Sequence, residues 1–262
     1  MKLTDYIYRA FSYISFRLTS VNTLGYGIHS PYLFHIVRDL FYDENAYYCF
    51  ADIEKQRQKL LTCHKPIYVQ DLGTGKSENR LISHIAKTSL ASPKEAQLLF
   101  RLVNFIHPNT ILELGTSLGI TTSYLAAAAP TANIITIEGS ENIASQARQT
   151  LKNTLVSNVQ LLQGNIDQLL PQALTDLKKI DFAFIDANHT YQATINYFSS
   201  ISPLCGKHSV VVLDDIHYSK SMHKAWQEIQ SMKSVTSTID LWHMGIVFFN
   251  PQFPKKHYKT RI

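Results

Sequence analysis

Ile111-Leu112-Glu113-Leu114-Gly115-Thr116-Ser117-Leu118-Gly119-Ile120-Thr121-Thr122 is the stretch that decides the fold. Its first four residues read as a strand, the next five as a tight turn holding two glycines, and the rest as the start of a helix. Glycine lets a backbone approach a ligand closely, and a helix N-terminus offers free N–H groups. In a doubly wound sheet such a loop lies at the carboxyl ends of the strands, where ligands bind. The spacing is G-x-x-x-G rather than G-x-G-x-x-G, and no basic residue follows to hold a pyrophosphate. The next strand candidate ends in Ile137-Glu138-Gly139, and an acid at that place accepts hydrogen bonds from a ribose diol.

Outward from this loop the chain alternates regularly. Strand-like segments fall at Thr110–Leu114, Ile134–Ile137, Val159–Leu162, Asp181–Ile185, Ser209–Leu213, Ser237–Leu241 and Gly245–Phe249. Helical stretches fall near 94–106, 119–129, 141–154, 167–177, 191–202 and 219–232. Strands alternating with helices of that length predict an α/β fold with a mostly parallel, Rossmann-like sheet of seven strands. The last two strands are separated only by Trp242-His243-Met244, too short for a helical crossover, so they form a terminal antiparallel hairpin with one strand reversed at the sheet's edge. Residues 1–90 are rich in Tyr, Phe and His and read as helices near 3–19, 30–41, 45–62 and 78–89, interrupted by an extended Ile67-Tyr68-Val69. The expected organisation is a helical N-terminal extension, 1–90, before an α/β domain, 91–262.

The glycine loop, the acid at Glu138 and this strand order resemble the class I S-adenosylmethionine-dependent methyltransferases over roughly residues 92–250. Glu113, Gly115, Ser117 and Gly119 match the first motif of that family, E-x-G-x-x-x-G, and Glu138 matches its ribose-binding acid. Gly164-Asn165 falls where the family's adenine-side loop does. The resemblance implies S-adenosylmethionine as cofactor, held by Glu113, Gly115, Thr116, Ser117, Gly119, Thr121, Glu138, Gly139, Asn165 and Asp186.

Two further strand ends carry acids: Phe184-Ile185-Asp186-Ala187-Asn188-His189 and Val212-Leu213-Asp214-Asp215-Ile216-His217. This arrangement is similar to the cation-dependent O-methyltransferases, the catechol and caffeoyl-CoA group. The resemblance implies a divalent cation, Mg²⁺ or another, on the carboxylates of Asp186, Asp214 and Asp215, acidifying a substrate hydroxyl. Ser92-Pro93-Lys94-Glu95-Ala96 resembles the segment that precedes the first strand in that group. Its plant and animal members carry a lysine base three residues beyond the first metal Asp; here that residue is His189, a D-x-x-H form similar to a sugar- and natural-product-modifying branch. An imidazole with an ordinary pKa near 6.5 suits a base at neutral pH. His189 with Asp186 is therefore the expected catalytic pair. The same residues also permit plainer roles: a cofactor-lining Asp186, a helix-capping His189, and loop carboxylates at Asp214 and Asp215. His217 reads as a fourth ligand, a substrate contact or neither.

Composition sets limits. With 45% hydrophobic and 17% charged residues the chain can bury a sizeable core. No apolar run approaches the roughly eighteen residues of a membrane-spanning helix. Asp5 and Arg9 interrupt what a signal peptide would need as an apolar core. Residues 3–14 have the spacing of one helical face, read as a packed amphipathic helix with a membrane-surface helix as the alternative. Cys49, Cys63 and Cys205 are odd in number and lack CxxC spacing, which fits a reduced, cytoplasmic protein rather than a disulfide framework. A net charge of +5 admits RNA as a partner, but the basic residues are scattered.

Several motifs lead elsewhere. Asp71-Leu72-Gly73-Thr74-Gly75-Lys76-Ser77 resembles a phosphate loop, yet Gln70 stands where that loop needs glycine. Asn250-Pro251-Gln252-Phe253 resembles an amino-methylating motif but lies in the tail, where a turn is expected. His29 and Tyr32, in an aromatic turn, read as packing or as acceptor contacts. The function expected is methyl transfer to a small-molecule hydroxyl, with the N-terminal helices shaping the acceptor site. An RNA methyltransferase, a metal-independent small-molecule methyltransferase and a nonenzymatic cofactor-fold module are the rivals. Aromatics in residues 1–50 would suit a homodimer contact.

Overall fold

A computed structural model describes residues 3–70 and 77–262. Of the Asp71–Ser77 loop, only Ser77 belongs to the described residues. In chain order the elements are α1 (Leu3–Thr19), α2 (Pro31–His35, continued by a π-turn), α3 (Phe50–Leu61), β1 (Pro66–Gln70), β2 (Ser77–Leu81), α4 (Ile82–Ser89) and α5 (Pro93–Ile106). There follow β3 (Thr110–Leu114), α6 (Ile120–Ala128), β4 (Asn133–Glu138), α7 (Glu141–Asn153), β5 (Val159–Gln163) and α8 (Ile166–Leu177). The chain ends with β6 (Ile180–Ile185), α9 (Tyr191–Ile201), β7 (Cys205–Leu213), α10 (Lys220–Ser231), β8 (Ser237–Asp240), β9 (Gly245–Phe248) and β10 (Lys256–Lys259).

Several helices start where a side chain takes the place of a missing backbone partner. Ser92 and Glu95 form a capping box at α5, and Asn165, Thr190 and Ser219 cap α8, α9 and α10. Each cap satisfies an otherwise orphaned N–H, worth about 1 kcal/mol.

The chain forms two compact units. In the first, Glu44–Lys178, strands β3, β4 and β5 lie in that order and all parallel. Register sets Glu113 opposite Thr136 and Glu138 opposite Gln163. Ile111, Leu112, Ile134, Ile135 and Ile137 are wholly buried, as strands covered on both faces require. Tyr47, Phe50, Phe100 and Tyr124 pack ring to ring, and the Tyr124 hydroxyl donates to Glu54, itself paired with Arg57 at 2.9 Å. The helix expected from residue 78 begins only at Ile82. Residues 77–81 pair antiparallel with β1 instead, because Ile67 and Val69 alternate inward as a strand and that strand needs a partner.

In the second unit, the chain up to Asp43 joins Lys179–Ile262, and the strand order is β10-β8-β9-β7-β6. β6 and β7 are parallel, while β9 runs antiparallel to both β7 and β8. The hairpin expected around Trp242–Met244 is present. Its reversed strand is β9, which lies between β7 and β8 rather than at an edge. The reason is composition: Gly245-Ile246-Val247-Phe248 is an unbroken apolar run with all four residues buried, the signature of an interior strand. A further strand, β10, pairs parallel with β8. Its Lys256-His257-Tyr258-Lys259 conceals it in the sequence, since only Tyr258 is buried. Asn22 holds it from the side, the Asn22 N–H donating to the Lys259 carbonyl and its Oδ1 accepting from the Lys259 N–H, both at 3.1 Å.

Candidate active site

The glycine loop lies at the carboxyl ends of β3 and β4. Gly115 has φ +98° and Gly119 φ +81°, conformations that side chains resist. A Cβ at Gly119 would come within 3.2 Å of the Ala147 backbone. The loop is drawn onto β4: the N–H groups of Gly115 and Thr116 donate to the Ile137 carbonyl at 3.0 and 3.3 Å. The Glu138 carboxylate accepts from the Ser117 N–H at 2.9 Å and from the Ser140 N–H at 3.0 Å. The Ser117 and Ser140 hydroxyls on either side are buried and have no hydrogen-bond partner. Unpaired buried donors beside a carboxylate, with glycine backbone at hand, suit a polar ligand such as the ribose of a nucleoside cofactor. Gly139 follows, and the Gly164 N–H donates to the Glu138 carbonyl at 2.9 Å. Asn165 caps α8 through its Oδ1 to the Asp167 N–H at 2.8 Å.

Glu113 is wholly buried beneath this loop. Its Oε2 accepts from the Thr122 and Thr136 hydroxyls, each at 2.6 Å, and Thr136 lies 2.6 Å from the Thr116 hydroxyl. The Glu113 Oε1 is buried without a partner. Burial pushes this carboxyl up to about 7 against the two threonine hydrogen bonds, with the charge of Glu138 adding to the rise. Thr121, in the first turn of α6, is also buried. The threonine network is absent from a motif reading. Its one sequence signal is Thr136, a polar residue inside the apolar strand Ile134-Ile135-Thr136-Ile137.

In the other unit, the ends of β6 and β7 bring Asp186, His189 and Asp215 together. His189 Nε2 is 3.4 Å from Asp186 Oδ1, and His189 Nδ1 is 3.9 Å from Asp215 Oδ2; all three side chains are partly exposed. Asn188, His189 and Asp215 all have positive φ, at 61°, 35° and 53°. Non-glycine residues held there cost about 1–3 kcal/mol each, and such strain concentrates where function demands it. Asp214 continues the strand pairing, its N–H donating to the Ile185 carbonyl at 2.9 Å. Tyr218 sets its ring 5.8 Å from that of His189. Among the described residues, no three His, Cys, Asp or Glu side chains are grouped to hold one ion. Here the imidazole spans the space between two of the expected ligands.

The remaining candidates are placed elsewhere. His217 is buried in packing, its Nε2 2.9 Å from Asp240 Oδ2 and its Nδ1 3.2 Å from Ser12 Oγ. Its ring stacks on Trp242 at 4.6 Å and on His223 at 4.7 Å. Burial first, and then His217, pull His223 down to about 4. Tyr32 packs 5.4 Å from Phe253, and His29 is exposed. Asn250 makes the expected turn, its Oδ1 accepting from the Gln252 N–H at 3.0 Å.

A family described as a methyltransferase domain matches residues 112–216. A catechol O-methyltransferase of Niastella koreensis is 29% identical over 161 residues, covering 57% of this chain and 71% of that protein. The O-methyltransferase TomG of Streptomyces achromogenes, solved with S-adenosylmethionine, superposes with a TM-score of 0.59 at 17% identity, over 79% of this chain and 91% of that one. An O-methyltransferase of Bacillus cereus, solved with the demethylated cofactor, gives 0.58 at 17% identity, over 78% and 92%. At such identities the two structures speak for the fold, and the domain match and the curated relative speak for the chemistry. Residues 112–216 thus match a methyltransferase domain, and with the glycine loop closed on Glu138 the chain is similar to S-adenosylmethionine-dependent O-methyltransferases.

Proposed function

We propose that this enzyme methylates the hydroxyl of a small molecule, with His189 taking the proton. The observation that carries the reading is the imidazole set between Asp186 and Asp215 on a strained turn. When bound, S-adenosylmethionine supplies an electrophilic methyl on a sulfonium. Gly115, Gly119, Glu138 and Asn165 are the residues assigned to hold it, and Glu113 positions the loop from below through Thr122 and Thr136. His189 Nε2–H faces Asp186, which keeps the tautomer with a free lone pair on Nδ1. That atom would accept the proton of the acceptor hydroxyl, freeing its oxygen for the methyl that the bound cofactor would supply. Asp215 then stabilises the imidazolium.

A divalent cation is the second form of this reading, because Asp186, Asp214 and Asp215 are an all-oxygen donor set of the kind Mg²⁺ takes. As arranged, with the imidazole between the carboxylates, the residues do not fit an ion, and no step is routed through one. The N-terminal segment, up to residue 90, is assigned to the acceptor side, and the enzyme to the cytoplasm, its three cysteines being free.

The test is transfer of labelled methyl from the cofactor to a panel of hydroxylated small molecules, with EDTA and with added Mg²⁺. His189-dependent activity that survives EDTA supports the imidazole form. Loss with EDTA and recovery with Mg²⁺ supports the cation form. Absence of cofactor binding by calorimetry would overturn both.

A further inference from the structure

The backbone that carries His189 needs support from outside itself. The His189 N–H donates to the Ala187 carbonyl at 2.8 Å, closing a three-residue turn with Asn188 at its centre. Asn188 has φ +61°, and a turn with positive φ at its centre is the rare, strained kind. His189 follows at φ +35°. Such strain persists only where the surroundings over-determine the conformation. The Asn188 side chain supplies a tie, its Nδ2 donating to the hydroxyl of Tyr197 in α9. Thr194, Tyr197, Phe198 and Ile201 make the buried face of α9, at the spacing of one helical stripe. Tyr197 is only 1% exposed, so a phenylalanine would serve the packing, and a hydroxyl there is costly unless bonded. The helix is fastened at its start as well. Thr190 Oγ1 accepts from the Ala193 N–H at 3.3 Å, and the Tyr191 hydroxyl donates to Glu228 of α10. A strained, partly exposed turn is thus tied to a helix that is anchored elsewhere.

We propose that Tyr197 is a positioning residue for proton transfer, holding the His189 imidazole between Asp186 and Asp215 through Asn188. The proposal rests on the reading of His189 as the base. Tyr197 acts only through the turn. Loss of the tie lets the turn relax and the ring leave its 3.4 Å approach to Asp186, the contact that fixes its tautomer.

The test compares Y197F and N188G with the unsubstituted protein, all in EDTA. Y197F keeps the ring and removes the hydroxyl. N188G breaks the same bond from the exposed end and accepts the positive φ, so a folded variant is available even if the buried change disturbs the core. Two-bond ¹H–¹⁵N spectra of ¹⁵N-histidine-labelled protein are read at about pH 8, where an ordinary imidazole is neutral. The His189 signals are identified by their loss in H189N. The unsubstituted protein is expected to show His189 as one fixed Nε2–H tautomer. In both variants its two nitrogen shifts should converge, while those of the buried His217 stay in place. Steady-state kinetics, with the hydroxylated acceptor that takes the label fastest, should show kcat lowered ~tenfold and the cofactor KM within about twofold. In an H189N background, Y197F should cost nothing further. Unchanged His189 shifts in both variants, shifts that move across all the histidines, or an equal loss from Y197F with and without His189 would overturn the proposal. An H189N enzyme as active as its parent would instead overturn the reading of His189 as base, and the proposal with it.

Discussion

At the scale of single residues, the two candidate groups His189 and Glu113 differ in what surrounds them. His189 sits in a half-open turn between two carboxylates, so its replacement is expected to act on chemistry more than on folding. H189N should lower kcat by ~10²–10⁴ and leave the cofactor Kd within about twofold, read by steady-state kinetics and calorimetry. Glu113 is the reverse case, a wholly buried acid whose carboxyl is raised from 4.5 to about 7. Below pH 4.5 it is protonated in both folded and unfolded chains and costs nothing. Between 4.5 and 7 the unfolded chain releases the proton while the folded one keeps it, so stability falls as pH rises. Above 7 the loss levels off at about 3 kcal/mol. Urea unfolding of E113Q across pH 5–8 should therefore show a flatter profile than the parent, and an equal slope in both would refute the assignment. Glu138, held by two backbone N–H groups, was readable from its place at a strand end. The Thr116–Thr136–Glu113–Thr122 network was not, because it joins three elements that are separate in sequence.

At the scale of elements, the glycine loop joins local and distant demands. Gly115 needs its positive φ to make the turn, which the G-x-x-x-G spacing announces. Gly119 is needed for a second reason, the Ala147 backbone of α7 passing 3.2 Å from where its Cβ would lie. G119A should cost about 1–2 kcal/mol for the left-handed conformation alone, with more from the close approach, and should weaken cofactor binding at least tenfold. Thermal melting with and without S-adenosylmethionine separates the two effects. Most elements of residues 93–248 matched their sequence expectations within a residue or two, because each carries its own apolar period and cap. The misses, β2 and β10, are polar strands whose only reason to be extended is the neighbour they pair with. A strand of that kind has no signal of its own.

At the scale of the whole molecule, the net charge of +5 is spread thinly, while the strand ends that carry the candidate site bear carboxylates. Methyl label from the cofactor, followed through fractionated cell extract, should enter small molecules, and label recovered in RNA would refute the small-molecule reading. What the sequence determined by itself was local and periodic: an α/β alternation, a glycine turn opening a helix, and acids at strand ends, all set by side chains within a few residues of each other. The tertiary structure alone decided that β9 lies inside its sheet, that Glu113 supports the loop from a dry interior, that His217 is packing rather than a ligand, and that His189 lies between two aspartates. Each of these depends on which distant segments share a neighbourhood, and burial and hydrogen bonding there are settled by the packing of the complete chain.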